Sequence, residues 1–436
     1  MPLLLKNANV FFENRLQRLD LRTRDGKIAE VAADLQPSST DQVIDLSGKT
    51  ILPGVIDLHV HFRVPGGEHK EDWTTGSRAA AKGGITAVCD MPNTNPSTTT
   101  IDLLRQKIQP TGQASLVNFG INFGAGPDNR AEQRALPLNI PVKCYVGPTT
   151  GTLIVDEQAV LEDIFTATDH LFLIHAEDKT EIDRLTAIFK NQNDPHLHGQ
   201  IRPPKVAAIA TQRVLNLARR YDRRVHFCHI SSIEELELIR AARAEGLRVT
   251  CEVLPHTLFL DETAIDALGN FGKVNPPLRS SQHRKALWQA LVNGEIDTVA
   301  TDHAPHTREE KEKGYWEAPS GVPGVETMLP LLLDQLNKGS ISLPRLVEVT
   351  STSPARLLGL TDKGAIAPGF DADLTVIDLQ ETHTFTDDEI ISKCGWTPFA
   401  GMTVTGMPVM TVVKGEIMFD AGLFSSGERG APLWIV

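Results

Sequence analysis

The regular alternation of apolar strands and helices through the middle of this chain is the feature that most constrains its fold. Eight apolar runs rich in β-branched residues alternate with stretches that have the spacing of amphipathic helices. The predicted strands comprise residues 55–61, 86–91, 116–123, 142–146, 171–175, 225–229, 249–254 and 297–302. Eight such units over about 250 residues predict an α/β fold, a (β/α)8 TIM barrel, whose functional groups belong at the C-terminal ends of the strands.

A doubly wound open sheet is the alternative that the same alternation permits. Its usual sign is a Gly-x-Gly-x-x-Gly motif that opens a helix, and the glycines at 120–126 stand in the wrong frame for it. Residues 1–50 and 365–436 have the pattern of short strands and turns. They predict one small β-sandwich domain built from both termini, which leaves residues 51–364 for the barrel.

Charge and cysteine content narrow the classes of partner and compartment. The net charge of −12 argues against a nucleic-acid partner, because phosphate binding needs a basic face. The five cysteines form no Cys-x-x-Cys pair, as expected in a reducing compartment. No signal peptide is recognisable, and no run reaches the roughly 20 apolar residues of a membrane-spanning helix. We therefore expect a cytoplasmic protein with no membrane partner.

Polar side chains at the ends of several predicted strands indicate a metal site. His59 and His61 alternate along the first strand, so both imidazoles face one side, and Arg63 follows as an anion receptor. Other strand ends carry Lys143, His175, His229 and Asp302. So many polar groups would destabilise an apolar core, whereas two divalent metal ions would satisfy them.

Lys143 is the unusual member of this set, because an ammonium group repels cations. Two interpretations stay open for it: a carbamate, formed with carbon dioxide, that bridges two metals, or an ordinary salt bridge to Asp302. With the carbamate, two metals about 3.5–4 Å apart would share a hydroxide that is nucleophilic at neutral pH. Asp302 would then move the hydroxide's proton to a leaving nitrogen. The predicted reaction is hydrolysis, or its reverse, at an amide-like carbon.

At these residues the chain resembles the amidohydrolase superfamily and, within it, the dihydroorotases. The matching segments comprise residues 52–73, 90–96, 175–177, 229–232, 251–256, 275–279, 301–307 and 364–374. The resemblance implies a zinc enzyme that reversibly cyclises N-carbamoyl-L-aspartate to L-dihydroorotate and water in pyrimidine (UMP) biosynthesis. It implies one zinc site formed by His59, His61, Lys143 and Asp302, and a second formed by Lys143, His175 and His229.

The resemblance also implies a role for Lys143 and for four substrate contacts. Many free-standing bacterial relatives bridge the metals with an aspartate from an Asp-Asp-Gly loop, but this chain has Lys143 and no such loop. Two Zn²⁺ per subunit, bridged by carboxylated Lys143 and hydroxide, are therefore expected. Arg63, Asn93 and His306 match the family's carboxylate receptor, and Asn275 matches a residue that contacts the pyrimidine ring. For Asn275 the alternative is a turn residue before two prolines.

Other residues in the matching segments carry weaker expectations. Cys228 and Glu252 match positions that hold a further metal in some relatives, although a buried free cysteine is usually a small apolar group. Thr149 and Thr150 would lie on a loop over the substrate. The histidines outside the ligand set and the receptor, among them His198 and His256, are expected to be structural or solvent-exposed.

Two further functions compete with a dihydroorotase. The first is an allantoinase or hydantoinase, which uses the same metals on other cyclic amides; Asn93 directly after Pro92 favours the dihydroorotase over the allantoinase. The second is an inactive dihydroorotase-like scaffold for aspartate transcarbamoylase, which is disfavoured because all six ligand positions are filled. A homodimer is expected from the superfamily, and aspartate transcarbamoylase is the protein partner that the resemblance suggests.

Overall fold

The computed structural model describes residues 1–149, 151, 153–427 and 429–435, so Thr150 lies outside the described residues. Its strands are β1 (Leu3–Phe12), β2 (Arg15–Arg24), β3 (Lys27–Ala32), β4 (Gln42–Asp45), β5 (Thr50–Pro53), β6 (Val55–Val60), β7 (Ile85–Asp90), β8 (Asn118–Ile121), β9 (Phe123–Gly124), β10 (Val142–Val146), β11 (Phe172–Ala176), β12 (Val225–Phe227), β13 (Val249–Val253), β14 (Thr298–Val299), β15 (Leu374–Thr384), β16 (Thr403–Val413), β17 (Glu416–Asp420) and β18 (Leu423–Phe424). Its α-helices are α1 (Trp73–Lys82), α2 (Ile101–Ala114), α3 (Arg130–Ala135), α4 (Gln158–Ala167), α5 (Lys179–Phe189), α6 (Leu197–Ile201), α7 (Pro204–Tyr221), α8 (Ile233–Ala244), α9 (Pro255–Phe259), α10 (Ile265–Leu268), α11 (Ser281–Val292), α12 (Arg308–Lys311), α13 (Met328–Asn337), α14 (Leu343–Val347) and α15 (Ser353–Leu358).

Parallel strands in chain order form the barrel. β6, β7 and β8 pair in one ladder, and β9 to β14 pair in another. Only Asn122 separates β8 from β9, so the two segments make one interrupted strand. A bridge between Val60 and His303 places the first strand beside the segment that follows the last. The predicted (β/α)8 barrel is confirmed.

Side-chain caps start the helices that cover the barrel. Asp72 accepts a hydrogen bond from the backbone N–H of Thr75 at the start of α1, and Ser232 accepts one from Glu235 at the start of α8. β6 and β7 are buried along their whole length, as expected of parallel strands that are covered on both sides. Charged groups at their ends are therefore removed from solvent. None of the helices in the described ranges is long and apolar enough to cross a lipid bilayer.

Both ends of the chain pair in one mixed sheet. It has nine strands. The spatial order of eight of them is β18, β17, β16, β15, β5, β1, β2 and β3, and β4 pairs with β1. It encloses a separate apolar cluster that includes Leu5, Val10, Ile51, Leu374 and Val412. The predicted β domain from both termini agrees with this pairing, while its boundaries at 50 and 365 stay a prediction.

Candidate metal centre

The C-terminal ends of the barrel strands surround one narrow pocket. Its lining includes the predicted site residues His59, His61, Arg63, Asn93, His175, His229, Asn275 and Asp302. Lys143 on β10 is fully buried beside this lining, and His306 is buried against Arg63. The barrel therefore brings every predicted ligand and substrate-binding residue to one place.

One half of the centre consists of His59, His61 and Asp302. The Nε2 atoms of His59 and His61 lie 3.3 and 3.0 Å from the same Oδ1 of Asp302. Burial opposes ionisation of Asp302, but the two histidines hold its pKa well below the usual range. The Asp302 carboxylate therefore stays ionised, able to bind a metal and to accept a proton.

The other half contains His175 and His229. Nδ1 of His175 lies 3.1 Å from Nε2 of His229, while Nδ1 of His229 has no hydrogen-bond partner among the described residues. Burial lowers the pKa of both imidazoles. A neutral, buried imidazole nitrogen without a partner is suited to bind a metal ion.

The two halves meet closely enough for a shared metal centre. His59, His229 and Asp302 offer ligand atoms that all lie within 4.8 Å of one another. Imidazole nitrogen and carboxylate oxygen are the donors that first-row divalent ions take in proteins. The residues of this structure therefore fit a metal cofactor.

Lys143 lies in an unusual environment for a lysine. Its Nζ donates to Sγ of Cys228 at 2.9 Å and lies 5.0 Å from the centre of the Tyr145 ring. Among the described residues, no carboxylate lies within 4.0 Å of Nζ. The salt bridge to Asp302, one of the two interpretations of Lys143, is therefore wrong for the described structure, and the buried amine lacks an anionic partner.

Backbone strain concentrates at this centre. Arg63, His229 and Asp302 have φ values of +65°, +38° and +46°, in the left-handed region that L-residues rarely adopt. Such conformations cost free energy and persist where the surrounding structure holds them, commonly at functional sites. Three of them around one pocket agree with a functional centre.

Glu252 holds the ring of His59 from behind. Its Oε1 lies 2.6 Å from Nδ1 of His59, and its Oε2 lies 3.1 Å from Nε2 of His226. Burial opposes ionisation of Glu252, but the two histidines lower its pKa. His59, Cys228 and Glu252 also form a second group with ligand atoms within 4.8 Å of one another, so the further metal expected there stays a prediction.

Two more of the predicted histidine ligands, His61 and His175, also have polar groups behind them. Oδ1 of Asn93 lies 2.8 Å from Nδ1 of His61, so Asn93 contacts a ligand as well as the pocket. Oε2 of Glu177 lies 3.3 Å from Nε2 of His175. Partners of this kind fix the tautomer and orientation of a ligand ring.

An anion receptor lies beside the metal centre. Nη2 of Arg63 is 3.2 Å from Nε2 of His306, and Nζ of Lys70 is 3.1 Å from Nδ1 of the same ring. Arg63 is only 9% exposed, and in the part of the chain that the structure describes it forms no ion pair with a carboxylate. Burial lowers its pKa, although nearby Asp302 opposes this. A buried guanidinium without a counter-ion is a receptor for an anionic ligand.

Asn275 is far from Arg63 in the sequence but lines the same pocket. Its Oδ1 lies 2.9 Å from Nε2 of His198. It also precedes Pro276, as the turn interpretation requires. The structure is therefore compatible with both interpretations of Asn275, as a contact to the substrate ring and as a turn residue.

Some pocket residues were missed from sequence. Tyr145, His256 and the segment 320–322 also line the pocket. Tyr145 could have been found, since it lies two residues after Lys143 on one strand and faces the same side. His256 follows β13, at a strand end. Residues 320–322 lie in the loop after α12 and contact the pocket. No local sequence pattern predicts that this loop folds over the ends of the strands.

The fold and this centre define a metal-dependent enzyme on a (β/α)8 barrel, with its site at the C-terminal ends of the strands. Residues 50–418 match the family described as "Amidohydrolase family", so the chain belongs to the amidohydrolase family. The resemblance drawn from the sequence motifs is confirmed.

The chain is similar to dihydroorotases in sequence and to an L-hydantoinase in structure. A dihydroorotase of Methanosarcina acetivorans is 40% identical over 427 residues, which cover 95% of this chain and 91% of that protein. A dihydroorotase of Halobacterium salinarum is 41% identical over 388 residues, 86% of this chain and 88% of that protein. The solved L-hydantoinase (dihydropyrimidinase) of Arthrobacter aurescens superposes with a TM-score of 0.92 at 33% identity and covers 97% of both chains.

Proposed function

We propose that this protein is a zinc dihydroorotase, which hydrolyses L-dihydroorotate to N-carbamoyl-L-aspartate and catalyses the reverse ring closure. The observation that carries the proposal is the buried guanidinium of Arg63, which no described carboxylate neutralises. L-Dihydroorotate has a carboxylate for this position, whereas the hydantoin ring has none. The identity to two dihydroorotases over most of the chain supports the same substrate.

The metal-binding part of the proposal rests on the two halves of the centre. His59, His61, Lys143 and Asp302 would hold one zinc ion, and Lys143, His175 and His229 the other. Lys143 would serve both as a carbamate, which forms when the amine adds to carbon dioxide: an N–C bond forms, one C–O π bond breaks to leave a carboxylate, and the proton of the nitrogen passes to water. The carbamate supplies the anion that the surroundings of Lys143 lack. When bound, the two zinc ions supply a nucleophilic hydroxide at neutral pH and polarise the amide carbonyl.

Asp302 moves the proton in this mechanism. In hydrolysis, an Oδ atom of Asp302 accepts the proton that the attacking oxygen loses as the new C–O bond forms. The same carboxyl group delivers this proton to the ring nitrogen as the C–N bond breaks, which regenerates the carboxylate. Ring closure runs through the same steps in reverse. The position of Asp302, within 3.3 Å of both His59 and His61, keeps the carboxylate at the metal ligands throughout.

The substrate is held by its carboxylate and its ring. Arg63 binds the carboxylate through two parallel N–H groups, a geometry that lysine lacks. Burial, Arg63 and Lys70 hold the pKa of His306 well below its usual range, so the ring is neutral. Its single N–H is on Nε2, 3.1 Å from the carbonyl oxygen of Ser320, and the substrate carboxylate would share this hydrogen. Asn93 completes the carboxylate receptor, and Asn275 contacts the ring. These roles are supported by the placement of Arg63, Asn93 and Asn275 around one pocket and by the contact of His306 with Arg63.

Hydrolysis of L-dihydroorotate by the zinc-loaded protein tests the proposal, with hydantoin and allantoin assayed beside it. Turnover of L-dihydroorotate alone is the expected result. Turnover of hydantoin without L-dihydroorotate would retain the metal chemistry and contradict the roles of Arg63 and His306. The Asp302→Ala variant is expected to lose turnover; a variant with full activity would instead fit the inactive-scaffold alternative.

A hydantoinase is the second candidate, favoured by the superposition with the L-hydantoinase at a TM-score of 0.92. The lower identity of that protein, 33% against 40% for the Methanosarcina dihydroorotase, places it second. The homodimer, the association with aspartate transcarbamoylase and the cytoplasmic location stay predictions.

A further inference from the structure

A pair of buried side chains stands behind Asn275. Nε2 of His198 lies 2.9 Å from the carbonyl oxygen of Val274 and 2.9 Å from Oδ1 of Asn275. Nδ1 of the same ring lies 3.0 Å from the hydroxyl of Tyr315. His198 is 6% and Tyr315 3% exposed. The expectation that His198 is merely structural leaves this chain of contacts to a substrate-binding residue unexplained.

Hydrogen-bond chemistry fixes the direction of every bond in this chain. The carbonyl of Val274 can only accept, so Nε2 of His198 carries the hydrogen and Nδ1 is the acceptor. The hydroxyl of Tyr315 must therefore donate to Nδ1. Burial lowers the pKa of His198 to about 3 and raises that of Tyr315 to about 12, so both groups are neutral at physiological pH.

The direction of these bonds determines how the Asn275 amide is turned. Because Nε2–H of His198 donates, the atom of Asn275 that faces it is the carbonyl Oδ1. The Nδ2 group then keeps both N–H bonds, and no described residue accepts from it. Asn275 lines the pocket and is half-buried, so these N–H bonds remain available to a ligand.

We propose that His198 and Tyr315 are positioning residues that hold the Asn275 amide as a hydrogen-bond donor to a carbonyl oxygen of the substrate ring. This inference rests on the proposed function and adds a specificity rule to it. A ring that presents a carbonyl oxygen to Asn275 is accepted. A ring that presents an N–H at the same edge faces the N–H of Asn275, so both donors lack an acceptor. Such a ring binds more weakly and is rejected.

A double-mutant cycle on kcat/KM for L-dihydroorotate tests the inference. Methionine at position 198 removes the donor, whereas glutamine keeps an N–H for Val274 and Asn275. We expect His198→Met to raise KM about five- to tenfold, with a smaller change in kcat, and His198→Gln to stay within about twofold of the wild type. Asn275→Ala should raise KM by at least as much as His198→Met.

The decisive measurement is the double variant His198→Met/Asn275→Ala. If His198 acts through the amide, the double variant has the kcat/KM of Asn275→Ala alone. If His198 only supports the pocket wall, its replacement lowers kcat/KM by the same factor in both backgrounds, which overturns the proposal. Tyr315→Phe should shift KM in the same direction as His198→Met. Tyr221→Phe, which removes a hydroxyl on the outer helix α7 with no described hydrogen bond, is the matched control.

A spectroscopic arm separates this inference from the proposed function. The Asn275 side-chain amide signal in a ¹H–¹⁵N spectrum is identified by its loss in Asn275→Ala. It should move in His198→Met and in Tyr315→Phe and stay in place in His198→Gln and Tyr221→Phe, whatever ring the enzyme hydrolyses. An unmoved signal in His198→Met overturns the inference. Turnover of hydantoin but not L-dihydroorotate overturns the proposed substrate, and the cycle is then measured with hydantoin.

Discussion

Oε1 of Glu252 lies 2.6 Å from Nδ1 of His59, and both side chains are 1% exposed. The carboxylate therefore receives the Nδ1 hydrogen of His59 and leaves Nε2 to face Asp302. One buried glutamate thus selects the tautomer in which His59, a proposed metal ligand, presents its lone pair to the centre.

Replacing this glutamate should weaken metal binding. Glu252→Gln keeps the size of the side chain but removes the charge, so the hydrogen bond that it accepts from Nδ1–H of His59 becomes weaker. We expect zinc affinity to fall about 10- to 100-fold, as is usual for partners behind metal ligands. Competition with a chelator measures the affinity. The exposed residue Glu237 on α8 offers the matched control, Glu237→Gln, which should bind zinc like the wild type. Unchanged affinity in Glu252→Gln would show that His59 needs no charged partner.

Arg63 should determine affinity for charged rings only. Arg63→Met removes the cation that is expected to bind the substrate carboxylate, so kcat/KM for L-dihydroorotate should fall about 10- to 100-fold, mostly through KM. Arg63→Lys should recover part of the loss, because lysine keeps the charge without the paired N–H geometry. Zinc affinity, measured by competition with a chelator, is the internal control and should stay at the wild-type value. A parallel loss of zinc affinity in Arg63→Met would mean that Arg63 acts by supporting the pocket instead.

Sequence pattern was sufficient for the parts of the site that sit on regular strands. His59, His61, Lys143 and His175 lie on β6, β10 and β11 or directly after them, where strand alternation and burial predict their direction. The sequence pattern was insufficient for the residues that lie behind these side chains. Glu252 follows an ordinary strand pattern, and nothing local shows that its carboxylate reaches His59, 193 residues away in the chain.

The fold shows the same division between local and long-range information. The apolar pattern over residues 343–360 predicts one helix, but the structure has α14, a π-type turn at Glu348–Thr352 and then α15. Pro354 has no N–H for the helical ladder, and the hydroxyl of Ser351 turns to the carbonyl of Pro53 in β5. Contact with the N-terminal sheet therefore decides the backbone here, and periodicity within the segment cannot show it.

A buried ion pair between α2 and β7 should be important for stability. Nζ of Lys107 lies 2.6 Å from Oδ2 of Asp90, and Oδ1 of Asp90 accepts from the backbone N–H of Phe62, between His61 and Arg63. Lys107→Met leaves a buried carboxylate without its cation and should destabilise the protein by about 3–5 kcal/mol. Scanning calorimetry of the metal-loaded protein should show a lower Tm.

Two further variants make the ion-pair prediction specific. Lys107→Met/Asp90→Asn removes both charges and should recover part of the lost Tm. Lys179→Met breaks an exposed i,i+4 ion pair on α5 and should leave Tm unchanged. A Tm in Lys107→Met equal to that of the wild type would mean that the ion pair makes no net contribution to stability.

Lys143 should carry one carbon dioxide in the folded, metal-loaded protein. The amine is fully buried, its hydrogen-bond partner is the thiol of Cys228, and the two metal ions proposed on either side of it would require an anion between them. Native mass spectrometry should therefore show the added mass of carbon dioxide, lost when acid unfolds the protein. Lys143→Ala should lose most of its zinc and activity, and small carboxylic acids such as acetate should restore part of both, because a carboxylate can occupy the space of the carbamate. Lys143→Met, which fills that space with an apolar side chain, should not respond to acetate. A fully active Lys143→Ala protein without added acid would contradict the carbamate, since no other described side chain then stands ready to bridge the two halves of the centre.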